Sequence, residues 1–192
     1  MTMFNSYLTH VDLGPLRTYC EEHGRLCRYS KGEAFLSEGE TGHTFGLVAE
    51  GYFKYAVTDT AGDNVIVGFA FTGEFVSDFY NSFQGFNSEG SIIAGSQADV
   101  YLITFNELNK WSEQNMPEFE PAISTALYRM LYTRYLDSYR KTPKERYMDF
   151  IREHPDLLQV ITLKELASYL RITPIYLSRI RKEVHAPYTD LA

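Results

Sequence analysis

The chain has 192 residues, 44% hydrophobic and 22% charged, with a formal net charge of -7. That length buries one good core and a small second one, and an acidic average excludes a protein that coats nucleic acid along its whole surface. The opening residues MTMFNSYLTHVDLG lack a basic stretch followed by an apolar run, and no window reaches the ~18 uninterrupted apolar residues of a spanning helix, so a cytoplasmic protein without a membrane partner is expected.

The charge is unevenly spread. Residues 142–192 hold eight Lys/Arg against seven Asp/Glu, a net of +1, whereas residues 1–141 carry a net of -8. A near-neutral tail with a local basic cluster can meet phosphates that the front of the chain would repel. Cys20 and Cys27 are the only cysteines, with no Cys/His cluster to complete a metal or iron-sulfur site, and both read as reduced thiols.

In chain order, residues 1–27 read as one or two helices, with Leu8, Leu13, Leu16 and Tyr19 at helical spacing. From 28 to about 105 the texture becomes short alternating runs: Phe45–Ala49, Tyr52–Val57, Val65–Phe69 and Val100–Thr104. Gly32, Gly39, Gly42, Gly51, Gly62 and Gly73 punctuate them, and Gly62-Asp-Asn marks a hairpin. Many short strands at regular spacing imply a sandwich, barrel or jelly roll.

After Pro117 and Pro121 the period turns helical up to Pro143, with Ile123, Leu127, Met130 and Leu131 joined by Tyr128, Tyr132, Tyr135 and Tyr139. A helix apolar on more than one face needs two partners, the front domain and a second copy of itself; packing on its own domain only is the alternative. Three further helices follow. Thr142-Pro-Lys-Glu145 and Thr162-Leu-Lys-Glu165 are capping boxes, the first helix ending near Glu153 before Pro155 and the second at Leu170. Thr173-Pro174 opens the third, through about Val184. The chain divides accordingly into 1–116, 117–141 and 142–192.

Residues 163–182, LKELASYLRITPIYLSRIRK, fit the helix-turn-helix pattern. Leu166 and Leu170 are apolar, Ala167 is small enough for a close helix crossing, and Ile172, Leu177 and Ile180 pack the second helix back on the first. Arg171 stands where Gly usually supplies a left-handed backbone. The second helix is the one expected in the major groove of double-stranded DNA, with Thr173, Pro174, Ile175, Ser178, Arg179 and Lys182 outward. Arg179 can present two donors to guanine and is the candidate for base readout. Arg171, Arg181 and Lys182 are candidates for phosphate.

With these pieces in place the chain resembles the family of the cyclic-AMP receptor protein and the fumarate and nitrate reduction regulator (Crp/Fnr). The resemblance is carried by Lys31-Gly-Glu33, Glu38-Gly-Glu40, Leu47–Lys54, Gly73-Glu-Phe75, the long helix, Arg146 and Leu177-Ser-Arg-Ile-Arg181. It implies an α+β chain: a double-stranded β-helix (jelly roll) sensor domain, a long dimerisation helix and a C-terminal helix-turn-helix. It also implies a homodimer on an inverted-repeat operator, transcriptional control with RNA polymerase as a further partner, and no enzymatic activity.

The resemblance further places an effector pocket at Gly73, Glu74, Phe75, Ser88, Leu131 and Tyr132. Gly73 and Glu74 match the opening of the cyclic-AMP receptors' phosphate cassette. The position of their arginine falls near Ser88, in a segment NSEGS without Arg or Lys, and the positions that meet the base fall near Leu131 and Tyr132. A buried phosphate beside Glu74 would lack its guanidinium, so cyclic AMP is not the expected effector and no cofactor is assigned. Pro174-Ile175 replaces the family's Arg-Glu pair, and a chain ending at Ala192 is too short for the usual β-hairpin wing. Two rivals remain. One is a cyclic-nucleotide-binding signalling module without DNA contact; the other is a cupin-like enzyme, for which lone His43 offers no His-x-His metal set.

Overall fold

The computed structural model describes residues 3–185, which divide into two compact units between Tyr135 and Leu136. The first unit holds eight strands: β1 (Arg25–Tyr29), β2 (Ala34–Leu36), β3 (Thr44–Glu50), β4 (Tyr52–Thr58), β5 (Asn64–Phe71), β6 (Phe75–Val76), β7 (Ser91–Ala94) and β8 (Ala98–Thr104). They form two four-stranded sheets, ordered β1-β8-β3-β6 and β2-β7-β4-β5, with every pair antiparallel. The four runs read from the sequence are β3, β4, β5 and β8. β1 begins at Arg25, so the helical expectation for residues 1–27 ends too late: α1 (Gly14–His23) stops at Gly24, whose N–H closes on Cys20 O.

The β4–β5 hairpin turns on Asp59. Its carboxylate accepts from Ala61 N at 2.9 Å and Asp63 N at 3.0 Å, while Gly62 takes φ +88°. This is longer than a two-residue turn, because the Asp side chain organises the whole loop. Gly42 has no such backbone role; a Cβ there would strike Ser82 Oγ at 2.3 Å, so closeness is what it supplies.

Two clusters make the core. Between the sheets lie Val48, Phe53, Ala70, Ile92 and Val100; on the outer side of the first sheet Leu16, Phe45, Phe75, Leu108, Trp111 and Ile123 join α1, α3 (Phe105–Asn115) and α4 (Phe119–Arg140) to it. Each buried large side chain contributes ~1.5–3 kcal/mol. A short helix α2 (Phe79–Gln84) follows β6.

α4 is amphipathic twice over. Phe119, Ile123, Ala126 and Met130 are buried, while Tyr128, Leu131, Tyr132, Tyr135 and Tyr139 are 49–75% exposed. Tyr128 and Tyr132 stack at 5.7 Å with rings 9° from parallel.

The second unit holds α5 (Pro143–Glu153), a 3-10 turn (Pro155–Gln159), α6 (Leu163–Tyr169) and α7 (Pro174–His185). Both expected capping boxes form: Thr142 and Thr162 each accept from the backbone of Glu145 and Glu165, whose carboxylates reach back to the caps. Tyr147, Phe150, Leu157, Leu166, Leu177 and Ile180 form the small core. The segment after α7, where the sequence predicts no wing, lies outside the described residues. Among the described residues no helix is long and apolar enough to cross a membrane.

Candidate nucleic-acid interface and sensor cavity

The link from α6 to α7 is a C-terminal cap closed by two bonds. Ile172 N donates to Ala167 O at 3.0 Å and Arg171 N to Ser168 O at 2.9 Å, the six-to-one and five-to-two pattern that reverses a helix end. It requires a left-handed residue, and Arg171 takes it at φ 57°, the single non-glycine with positive φ among the described residues. Ala167 is fully buried under the crossing, as its size allows. Thr173 then starts α7, its Oγ1 accepting from Tyr176 N at 3.2 Å, and Pro174 fills the first position, where an N–H has no helical partner.

The face of α7 away from Leu177 and Ile180 is open. Thr173, Pro174, Ile175, Arg179, Arg181, Lys182 and, in the turn, Arg171 are exposed; Ser178 is half-buried. Tyr176, absent from the sequence-derived set, is 43% exposed beside Ile175 at 71%. Arg181 lies near buried Tyr147: burial pushes that phenol's pKa up, and the Arg181 charge pulls it back. Arg181 therefore stands against the buried phenol of α5. Lys144 of α5 pairs with Glu183 at 2.9 Å, an exposed bridge worth ~0–1 kcal/mol.

The first unit contains a cavity of about 390 Å³ between β3–β6 and α4. Phe75 and Leu131 of the expected effector set line it; Gly73, Glu74, Ser88 and Tyr132 do not. Gly73, at φ +82°, gives its carbonyl to the Arg17 guanidinium, which also lies 5.3 Å from the centre of the Phe75 ring. Glu74 is 1% exposed and held by the N-terminal segment. Asn5 N donates to Oε1 at 2.8 Å, Asn5 Nδ2 to Oε2 at 2.8 Å, and Phe71 N to Oε2 at 3.1 Å. Burial pushes this carboxyl above its ordinary range and outweighs the N–H donors that favour the anion. Ser88 is engaged by Asp78 Oδ2 at 2.5 Å and Gly90 O at 2.7 Å, and Tyr132 sits on the outer face of α4.

Sequence reasoning missed Asn5, Tyr7 and Arg134. Arg134 donates to Phe4 O at 3.0 Å and lies 4.6 Å from the Phe4 ring centre. No local signal could place residues 3–7 there, because their partners stand more than sixty positions away.

No protein-family model matches the chain, and no curated protein matches it by sequence. Solved structures do. FixK2 from Bradyrhizobium japonicum superposes with a TM-score of 0.73 at 19% identity, covering 88% of this chain and 89% of that one. The Crp/Fnr regulator fold is the fold of this chain. Two other proteins of that fold agree. The c-di-GMP-responsive global regulator CLP from Xanthomonas campestris gives 0.62 at 17% identity, covering 91% and 92%. A CooA mutant from Carboxydothermus hydrogenoformans gives 0.64 at 13%, covering 95% and 84%. At such identities the Crp/Fnr likeness establishes architecture, an α+β chain with antiparallel sheets and several helices, and leaves the chemistry to this chain's own residues.

Proposed function

We propose that the chain is a homodimeric, DNA-binding transcription regulator of the Crp/Fnr type, cytoplasmic and non-enzymatic, with α7 as its recognition helix. The observation that carries this is the α6–α7 pair: a capped reversal over a buried alanine that presents Ile175, Arg179 and Lys182 on one open helix face, with Thr173 and Pro174 exposed at its N-terminal end. The order of the eight strands in two sheets supports reading residues 1–116 as a jelly roll. The exposed Tyr128–Tyr139 row supports residues 117–141 as the dimer helix, since a row of large apolar groups favours burial against a second copy. Residues 142–192 are then the DNA-binding domain.

Cyclic AMP is not its effector in this reading. The Glu74 carboxylate is already occupied by Asn5, and Ser88 is occupied by Asp78 and Gly90. Arg17, the cation next to Gly73, is committed to the Gly73 carbonyl and the Phe75 ring.

Paired substitutions on α7 test the reading. Arg179→Ala should cost ~1–3 kcal/mol per half-site and relax preference at one base pair, whereas Lys182→Ala should weaken all sequences alike and flatten the salt dependence. Titrations against a selected site and random duplex at several salt concentrations distinguish them. Equal losses on both DNAs for Arg179→Ala would make it a phosphate contact; no change from either substitution would remove the DNA-binding role of α7.

A further inference from the structure

The 390 Å³ cavity lies at the size of small-molecule sites, which start at ~300 Å³, and its wall is almost entirely carbon. Phe45, Phe69 and Phe75 from the strands face Leu127 and Leu131 from α4 across it. The strand-side rings, with Tyr128 the one ring from α4, favour a flat, apolar occupant, which gains stacking and edge contacts in addition to burial.

The polar side chains on the wall are mostly hydroxyls, with the Asn5 amide and the Arg134 guanidinium beside them. The Tyr55 hydroxyl is bound up with the Ser77 backbone, donating to its O and accepting from its N, each at 3.3 Å. Tyr7 is one of three further phenols on the wall, with Tyr80 and Tyr128; burial first, then the neighbouring Tyr55 and Glu74, push its pKa well up, so it stays an uncharged O–H donor. Among the described lining residues Arg134 alone is charged. A guanidinium carries five N–H donors, and Phe4 O takes one of them. No carboxylate lines the space, since Glu74 is turned onto Asn5. Donors and one cation without a counter-ion select for an acceptor, and in a carbon-walled site a fixed positive charge favours an anion.

We propose that this cavity binds an aromatic carboxylic acid, its one or two rings between the phenylalanines and α4 and its carboxylate on Arg134 and the Tyr7 hydroxyl. The proposal rests on the sensor role given above to the first unit, and it names the chemistry of that site: a flat carbon body with one anionic head in place of a sugar phosphate. A nucleotide's phosphate would have Arg134 as the one cation among the described lining residues, and its ribose would lie against a wall that is mostly carbon.

The test is calorimetric titration of the full chain with 2-naphthoate, with 2-naphthalenemethanol as the same body without the charge, and with cyclic AMP. Naphthoate should bind saturably, the alcohol at least about tenfold more weakly, and cyclic AMP without measurable heat. Arg134→Gln should weaken naphthoate by about tenfold while leaving the alcohol unchanged. Arg134 also holds Phe4, so a second variant guards against misfolding: in Gly68→Leu the new side chain fills the cavity from β5, where an added Cβ meets only Tyr55, at 3.6 Å. That variant should melt normally and lose both naphthalene compounds. No saturable naphthoate binding at millimolar concentration, equal binding of acid and alcohol, or naphthoate binding that survives Gly68→Leu would each overturn the proposal. Because these titrations contain no DNA, they fail or succeed apart from the DNA-binding role of α7.

Discussion

At the scale of single residues, Glu74 shows how a distant contact decides what a local motif does. The Gly73-Glu74 pair is legible in the sequence, but its role is decided by Asn5, which no spacing rule connects to it. A buried carboxyl whose pKa is raised in the folded state binds its proton more tightly there than when unfolded. It therefore favours folding most at or below its ordinary value of 4.5, and that contribution is lost as pH rises through the folded value. Other carboxyls slope the opposite way: Asp149 beside Lys141, and Glu107 under the Thr104 cap, are held below their ordinary range. The comparison must accordingly be with a variant. Glu74→Gln points an amide N–H at donors and should destabilise by ~1–3 kcal/mol. In thermal melts, the advantage of wild type over Glu74→Gln should shrink from pH 5 to pH 8. A gap that widens with pH would mean that the three N–H donors, and not burial, dominate this site.

At the scale of elements, what could be read in advance followed local rules. The capping boxes at Thr142 and Thr162, Pro155 as a stop and the left-handed turn at Arg171 were all legible, because each is settled within four residues. Thr104-Phe-Asn-Glu107 carries the same signature and opens α3 with both reciprocal bonds, but it overlaps the end of the β8 run, whose alternation masks it. β2, β6 and β7, of three, two and four residues, are too short to show a period, and long-range pairing alone makes them strands. The Arg171 turn gives a prediction of its own. Arg171→Gly removes the strain of a side chain at φ 57° and should stabilise the second unit by ~1 kcal/mol, raising its melting temperature. If Arg171 also meets phosphate, the same variant should bind every DNA sequence more weakly with a shallower salt slope. A more stable protein with unchanged DNA binding would leave Arg171 as a turn residue only.

At the scale of the whole molecule, the division of charge matches the division of labour proposed for it. The acidic front carries the carbon-walled cavity and the exposed tyrosine row, and the cations of residues 171–182 stand on α7 and the turn before it. A two-fold dimer along α4 would present two copies of α7 to successive major grooves about 34 Å apart. The central claim is therefore a claim about DNA symmetry. Selecting bound fragments from a pool of random duplexes with purified full-length protein, followed by sequencing, tests it most directly. The account predicts enrichment of an inverted repeat whose half-sites lie one helical turn apart, each with a guanine that Arg179→Ala no longer requires. A pool that stays unenriched, or that enriches single half-sites without a symmetric partner, would contradict it.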